Sequence, residues 1–216
     1  MRFVDRADAG RRLGAALRPV VADAGGDVVV VGLPRGGIPV AFEVARVLGA
    51  PLDVIVVRKL GVPHQPELAM GAVGEEGARV TNARVLAAAG VTELELDQIE
   101  RRERAEVERR ARRLRSGSPG LSLVNRTVVV VDDGIATGAT ARAACRIARA
   151  RGAATVVLAA PVGPQDVERR IRPDADRIVC LHRPTRFTAI GQFYDDFAQV
   201  SDEQVERLLQ LAPRGE

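Results

Sequence analysis

"VVVVDDGIATGAT", residues 128–140, sets four valines against two adjacent aspartates and then a run of small residues and hydroxyls. The valines read as a strand buried on both faces, because such strands are continuous β-branched runs rather than alternating ones. One aspartate after a strand could start a turn or cap a helix. Asp132 and Asp133 together repel each other unless a cation or a hydroxyl-rich group lies between or above them. A vicinal diol meets that need, since each carboxylate can accept hydrogen bonds from sugar hydroxyls. So does a hydrated Mg²⁺, which takes one or two carboxylates plus phosphate oxygens.

The next residues, Gly134, Ile135, Ala136, Thr137, Gly138, Ala139 and Thr140, supply the opposite polarity. The glycines permit backbone geometries that turn several N–H groups inward. Thr137 and Thr140 add hydroxyls, and a helix beginning near Ala139 points its positive end at the same spot. That combination suits a phosphate. A sugar with a terminal phosphate fits both halves: ribose on the aspartates, 5-phosphate in the loop.

Working outward, buried strands are expected at 27–33, 51–61, 127–131, 154–163 and 176–181. Helical periodicity separates them at 38–49 and 140–152, with a shorter amphipathic piece at 164–173. Such alternation predicts an α/β fold with a doubly wound, mostly parallel five-stranded sheet, since parallel neighbours need helical crossovers. The core spans about 20–60 and 125–181. About sixty residues, far more than an ordinary connection, interrupt the pattern between the second and third strands. Gly and Pro spacing there suggests a β-ribbon, followed by a helix at 92–115 carrying eight arginines from Arg101 onward. A small hood at about 182–200, helped by the N-terminus, precedes a final helix at 202–211. The whole, 1–216, is expected to be one domain.

Bulk properties agree. The 46% apolar content with 3% aromatics and no Trp suits a Val/Ala/Leu/Ile core between helices. No apolar run reaches the roughly 18 residues that cross a bilayer, and "MRFVDRADAGRRLGAAL" lacks an apolar signal region. A cytoplasmic protein is expected, with Cys145 and Cys180 as reduced core thiols. The net charge of +4 serves an anionic small molecule as well as a nucleic acid.

Residues 128–140 resemble, position for position, the signature of the type I phosphoribosyltransferases: four apolar residues, two acids, a small loop and Thr-Gly-x-Thr. The resemblance implies 5-phosphoribosyl 1-diphosphate as ligand with Mg²⁺ as cofactor, the metal held through the diphosphate, with Asp132 and Asp133 as further candidate ligands. It covers roughly residues 27 to 180. "GLPRGGIPVA" at 32–41 is either a glycine turn with a proline in the first helical turn or a diphosphate loop made by Arg35, Gly36 and Gly37. Family members often carry a cis peptide in this loop, here between Leu33 and Gly36. Arg58 and Lys59 end the second expected strand on the same edge, as solvated charges or as further diphosphate contacts. On this reading Asp132, Asp133, Arg35 and Lys59 carry catalysis, and the long segment after Gly61 corresponds to a closing loop bearing His64, Gln65 and Glu67. His64 is either a proton shuttle or plain surface.

The family resemblance implies transfer of the phosphoribosyl group to a nitrogen acceptor, a nucleobase with purine slightly favoured, by a homodimer. Phe187, Phe193 or Tyr194 would stack on the base or simply close a hood core. The alternative is a regulator that senses the sugar diphosphate and binds nucleic acid through the arginine-rich helix. Glu100, Glu103, Glu106 and Glu108 interleave with those arginines, which suits an ion-paired helix better. Nucleic acid and membrane are therefore not expected partners. A diphosphokinase would need an ATP site, and no Walker-type loop is present.

Overall fold

The five apolar runs assemble as one parallel sheet in the computed structural model, which describes residues 1–63 and 65–212. The chain opens with α1 (Arg6–Ala24), β1 (Val28–Gly32), α2 (Gly37–Leu48) and β2 (Leu52–Val54). A second, antiparallel sheet follows: β3 (Arg58–Val62), β4 (Gln65–Val73) and β5 (Arg79–Thr81). Then come α3 (Ala83–Ala89), α4 (Glu93–Leu114), β6 (Thr127–Val131), α5 (Ala139–Ala150) and β7 (Thr155–Val162). The chain continues through α6 (Val167–Ile171), β8 (Arg177–His182), a 3₁₀ turn (Ile190–Phe193) and α7 (Asp202–Leu211).

The parallel sheet has strand order β2-β1-β6-β7-β8. Its valines alternate between two cores, as a strand buried on both faces requires. Val30, Val129 and Val131 pack with Leu13, Leu17, Val44 and Val205 of α1, α2 and α7. Val29, Val31, Val128 and Val130 pack with Ala144 and Ile147 of α5. From β1 the chain steps one way to β2; from β6 it steps the other way to β7 and β8. The loops after β1 and β6 therefore face each other across the switch point, where open α/β sheets bind ligands.

Two expectations change. The run at 51–61 is not one strand. β2 pairs with β1 only from Leu52 to Val54, and the chain then leaves the sheet. The last ladder bond runs from the Ile55 N–H to the Gly32 carbonyl at 3.0 Å, and on the outer edge the Val56 N–H meets the Glu75 carboxylate at 3.4 Å. Arg58 and Lys59 consequently open β3 of the ribbon rather than closing a strand of the main sheet. The N-terminal segment, given no element by its pattern, is a 19-residue helix. Asp5 caps it by accepting from the Asp8 N–H, and Gly10 lets α2 approach so closely that a Cβ there would lie 2.6 Å from the Val40 carbonyl. The helix expected at 92–115 forms as α4, begun by a capping box between Thr92 and Glu95.

Candidate active site

Glycines bring the two switch-point loops into contact. Gly37 donates to the Leu33 carbonyl (3.0 Å), and Leu33 donates to Val131 (2.8 Å), tying the loop after β1 to the end of β6. A Cβ on Gly36 would sit 2.0 Å from an Asp133 carboxylate oxygen, and one on Gly37 2.7 Å from the Val131 carbonyl. No other residue type fits at either position without displacing the acids. Arg35 is half-buried and lies 3.9 Å from Asp202 at the start of α7. The peptide between Pro34 and Arg35 is cis, within the interval expected for such a bond.

Asp132 and Asp133 differ in their surroundings. Asp132 is half-buried; one carboxylate oxygen accepts from the Asp133 N–H at 2.9 Å. Among the described residues its other oxygen has no protein donor, and no buried side-chain oxygen or nitrogen lacks a partner, so that oxygen reaches solvent. Asp133 is only 8% exposed. Its carboxylate is held at 2.9 Å by Arg6, the first residue of α1, and its carbonyl accepts from the Tyr194 hydroxyl at 2.6 Å. Burial pushes the Asp132 carboxyl well above the usual carboxylate range, and the adjacent Asp133 charge adds to the shift. Burial raises Asp133 as well, with Arg6 opposing.

The loop that follows has the expected donors. Gly138 adopts φ 82°, a left-handed conformation that favours glycine, and starts α5 directly. Ala136, Thr137, Ala139 and Thr140 are exposed, while Ile135 is buried and anchors the loop through its N–H to Val162 (2.8 Å). Among the described residues nothing accepts from the N–H groups of Ala136, Thr137 or Gly138. Unpaired N–H groups at a helix N-terminus form an anion cradle.

Arg58 and Lys59 reach this region by way of the ribbon. Both line a cavity of about 870 Å³ whose wall includes Thr140 of the loop and Arg102 and Glu103 of α4. Arg58 is ion-paired with Glu103 at 2.8 Å. Among the three hood aromatics, Phe193 (9% exposed) and Tyr194 (2%) are packed into a small core. Phe187 stacks on Phe193 with ring centres 5.7 Å apart, and Phe3 lies 5.5 Å from Tyr194. The N-terminal segment closes this core, Phe3 donating to the Phe193 carbonyl at 2.8 Å. Phe193 and Tyr194 thus complete a core, while Phe187 covers it from outside and stays partly exposed. His64 lies outside the described residues, as do the side chains of Pro66 and Glu67.

Arg6 is the residue the motifs did not reveal. Besides holding Asp133, it donates to the Ala198 carbonyl at 2.8 Å and lies 3.9 Å over the Phe197 ring. Its one sequence signal is the helix start at Asp5, an N-cap residue followed three places later by Asp8.

A five-stranded parallel sheet of this order, with an antiparallel ribbon inserted after its edge strand and a C-terminal hood, is the fold of the type I phosphoribosyltransferases. The chain belongs to the phosphoribosyl transferase domain family, whose profile matches residues 7–198. Two relatives from Mycobacterium tuberculosis strains, named "Putative phosphoribosyl transferase" MT0597 and Rv0571c, are 54% identical over 212 residues. The match takes in 98% of this chain but 47% of each relative, so the chain spans about half their length. The crystal structure of TT1426 from Thermus thermophilus superposes with a TM-score of 0.88 at 43% identity, covering 99% of this chain and all of that one (100%). No described helix is long and apolar enough to cross a membrane.

Proposed function

We propose that the chain transfers the 5-phosphoribosyl group of phosphoribosyl diphosphate to a nitrogen acceptor, with release of diphosphate. The observation that carries this reading is the pairing of Asp132, with a solvent-facing oxygen, and the unpaired N–H groups of Ala136 to Gly138 on one short loop. Asp132 accepts from the ribose hydroxyls, and Asp133, fixed by Arg6, keeps the pair in register. The loop from Gly134 to Thr140 holds the 5-phosphate through its N–H groups and the Thr137 and Thr140 hydroxyls. Gly36 and Gly37 seat the diphosphate loop against the two acids, with Arg35, Arg58 and Lys59 as the cations of the diphosphate.

The donor set suits a hard cation in part. Asp132 offers a carboxylate oxygen, but Asp133 is already neutralised, and no cluster of three His, Cys, Asp or Glu side chains forms a metal site among the described residues. Magnesium fits as an ion carried mainly by substrate oxygens and touched by Asp132, and when bound it would neutralise charge on the diphosphate. Departure of diphosphate builds positive charge on the ribose and negative charge on the leaving group. The guanidinium of Arg35 and the Lys59 ammonium stabilise the latter, where preorganised charge is most effective. A nucleobase nitrogen is the acceptor, with a purine slightly favoured.

The nucleic-acid alternative gains nothing from α4. Four of its seven guanidiniums are paired within the chain, Arg104 with Glu100, Arg109 with Glu106 and Arg113 with Asp202 (3.4 Å) among them, and it carries no aromatic side chain to stack on bases. The test is thermal. Phosphoribosyl diphosphate with Mg²⁺ at a hundred times Kd should stabilise by about 2.7 kcal/mol, or roughly 5–10 °C for a chain of this size. The Asp132→Asn, Asp133→Asn double variant should show no such shift. Release of diphosphate on adding a panel of nucleobases then identifies the acceptor; an unshifted wild type would refute the reading.

A further inference from the structure

One buried carboxylate in the cavity beside the phosphate loop holds two guanidiniums at once. Glu103, 7% exposed, binds Arg58 through one oxygen (2.8 Å) and Arg102 through the other (3.0 and 3.1 Å). The Arg58 contact has an evident structural use, since it ties the ribbon to α4. The Arg102 contact has none. Arg102 is already on α4, beside Glu103 in sequence, and adjacent residues on a helix do not ordinarily face each other. Its i+4 neighbour Glu106 pairs with Arg109 instead. Arg102 is thus turned toward the cavity, with its side chain 75% exposed and several of its five N–H donors free. Lys59 lines the same wall and has no partner among the described residues. Two guanidiniums share one carboxylate, and with the Lys59 ammonium on the same wall the cavity carries an excess of positive charge that an entering anion would offset.

We propose that Arg102 is a binding residue for the diphosphate group, forming with Arg58 and Lys59 a three-cation wall in which Glu103 holds the two guanidiniums. The inference rests on the transferase reading and adds to it a residue from the helical arm, outside the signature loops. Diphosphate is the group of higher charge, and the 5-phosphate already has the N–H cradle beside Thr140.

The experiment measures calorimetric affinities of the full chain for inorganic diphosphate, ribose 5-phosphate and phosphoribosyl diphosphate, each with Mg²⁺. Arg102→Ala should weaken diphosphate and phosphoribosyl diphosphate by roughly ten- to a hundredfold, the range of a lost charged hydrogen bond. Ribose 5-phosphate should stay within about twofold. Arg102→Lys should recover part of the loss, and Arg101→Ala, an exposed neighbour off the cavity, should change nothing. Unchanged diphosphate binding by Arg102→Ala, or a loss confined to ribose 5-phosphate, would overturn the assignment while leaving the transferase reading intact. A wild type that binds none of the three probes would remove both.

Discussion

Two clusters in this chain contain the same charges, two carboxylates and one arginine, and use them in opposite ways. In the first, Arg115 at the end of α4 lies between Asp53 and Glu75. It donates to Asp53 at 2.6 and 3.0 Å and to the Val54 carbonyl at 2.8 Å, and is also paired with Glu75. The Leu121 N–H completes Asp53 at 2.8 Å. In the second, Arg6 binds Asp133 and not the other acid, and Asp132 keeps an oxygen free beside a like charge. The first cluster satisfies its members within the protein and joins the helical arm to β2. The second leaves a carboxylate to be satisfied from outside. Charge composition does not separate structure from function here; the position of the cation does.

The largest effect is expected from breaking the closed cluster. Arg115→Met leaves two buried carboxylates uncompensated, a loss of about 3–5 kcal/mol, or roughly 10 °C in melting temperature. Arg6→Met should cost less, about 2–3 kcal/mol, because Asp133 can take up a proton. Its pH dependence is the sharper test. Without Arg6 the Asp133 carboxyl rises further above its unfolded value, so the folded state favours the protonated form. The deficit relative to wild type should be full at neutral pH and shrink as pH falls toward about 4. Melting curves of Arg6→Met and wild type that run parallel from pH 7 to pH 4 would deny Asp133 its role as Arg6's partner.

The contrast also marks what the sequence discloses. Residues 128–140 are legible because their strand, turn and helix chemistry is local: four valines, two acids, then Gly138 at a position needing positive φ. Thr92 and Glu95 announce α4 in the same way. The break within 51–61 is not legible. "DVIVVRK" contains no Gly or Pro, and what draws Arg58 and Leu60 into a separate sheet is pairing with Val73 and Gly71 of β4, more than ten residues on. Nor is Arg6, whose partner lies 127 residues away. The hood rings leave two readings open in the sequence for a related reason: an aromatic near a site reads alike whether it faces a ligand or packs on its neighbours, and for Tyr194 it is Phe3, arriving from the N-terminus, that supplies the packing.

The smallest predicted effect has the opposite sign and bears most directly on the open cluster. Asp132 has its carboxyl pKa raised by burial and by the Asp133 charge. A raised acid contributes stability in full below its unfolded pKa of about 4 and loses it as pH rises through the folded value. At pH 7 the raised Asp132 carboxyl therefore lowers the stability of the ligand-free chain. Asp132→Asn removes the charge and keeps an oxygen to accept the Asp133 N–H. The ligand-free variant should melt about 2–4 °C higher at pH 7, corresponding to about 1 kcal/mol, and the gain should vanish toward pH 4. The same variant should lose its response to phosphoribosyl diphosphate. A site strained for binding gives up stability when empty. If Asp132→Asn melts lower at pH 7, the carboxylate is satisfied within the chain as Asp53 is, and the difference between the two clusters disappears.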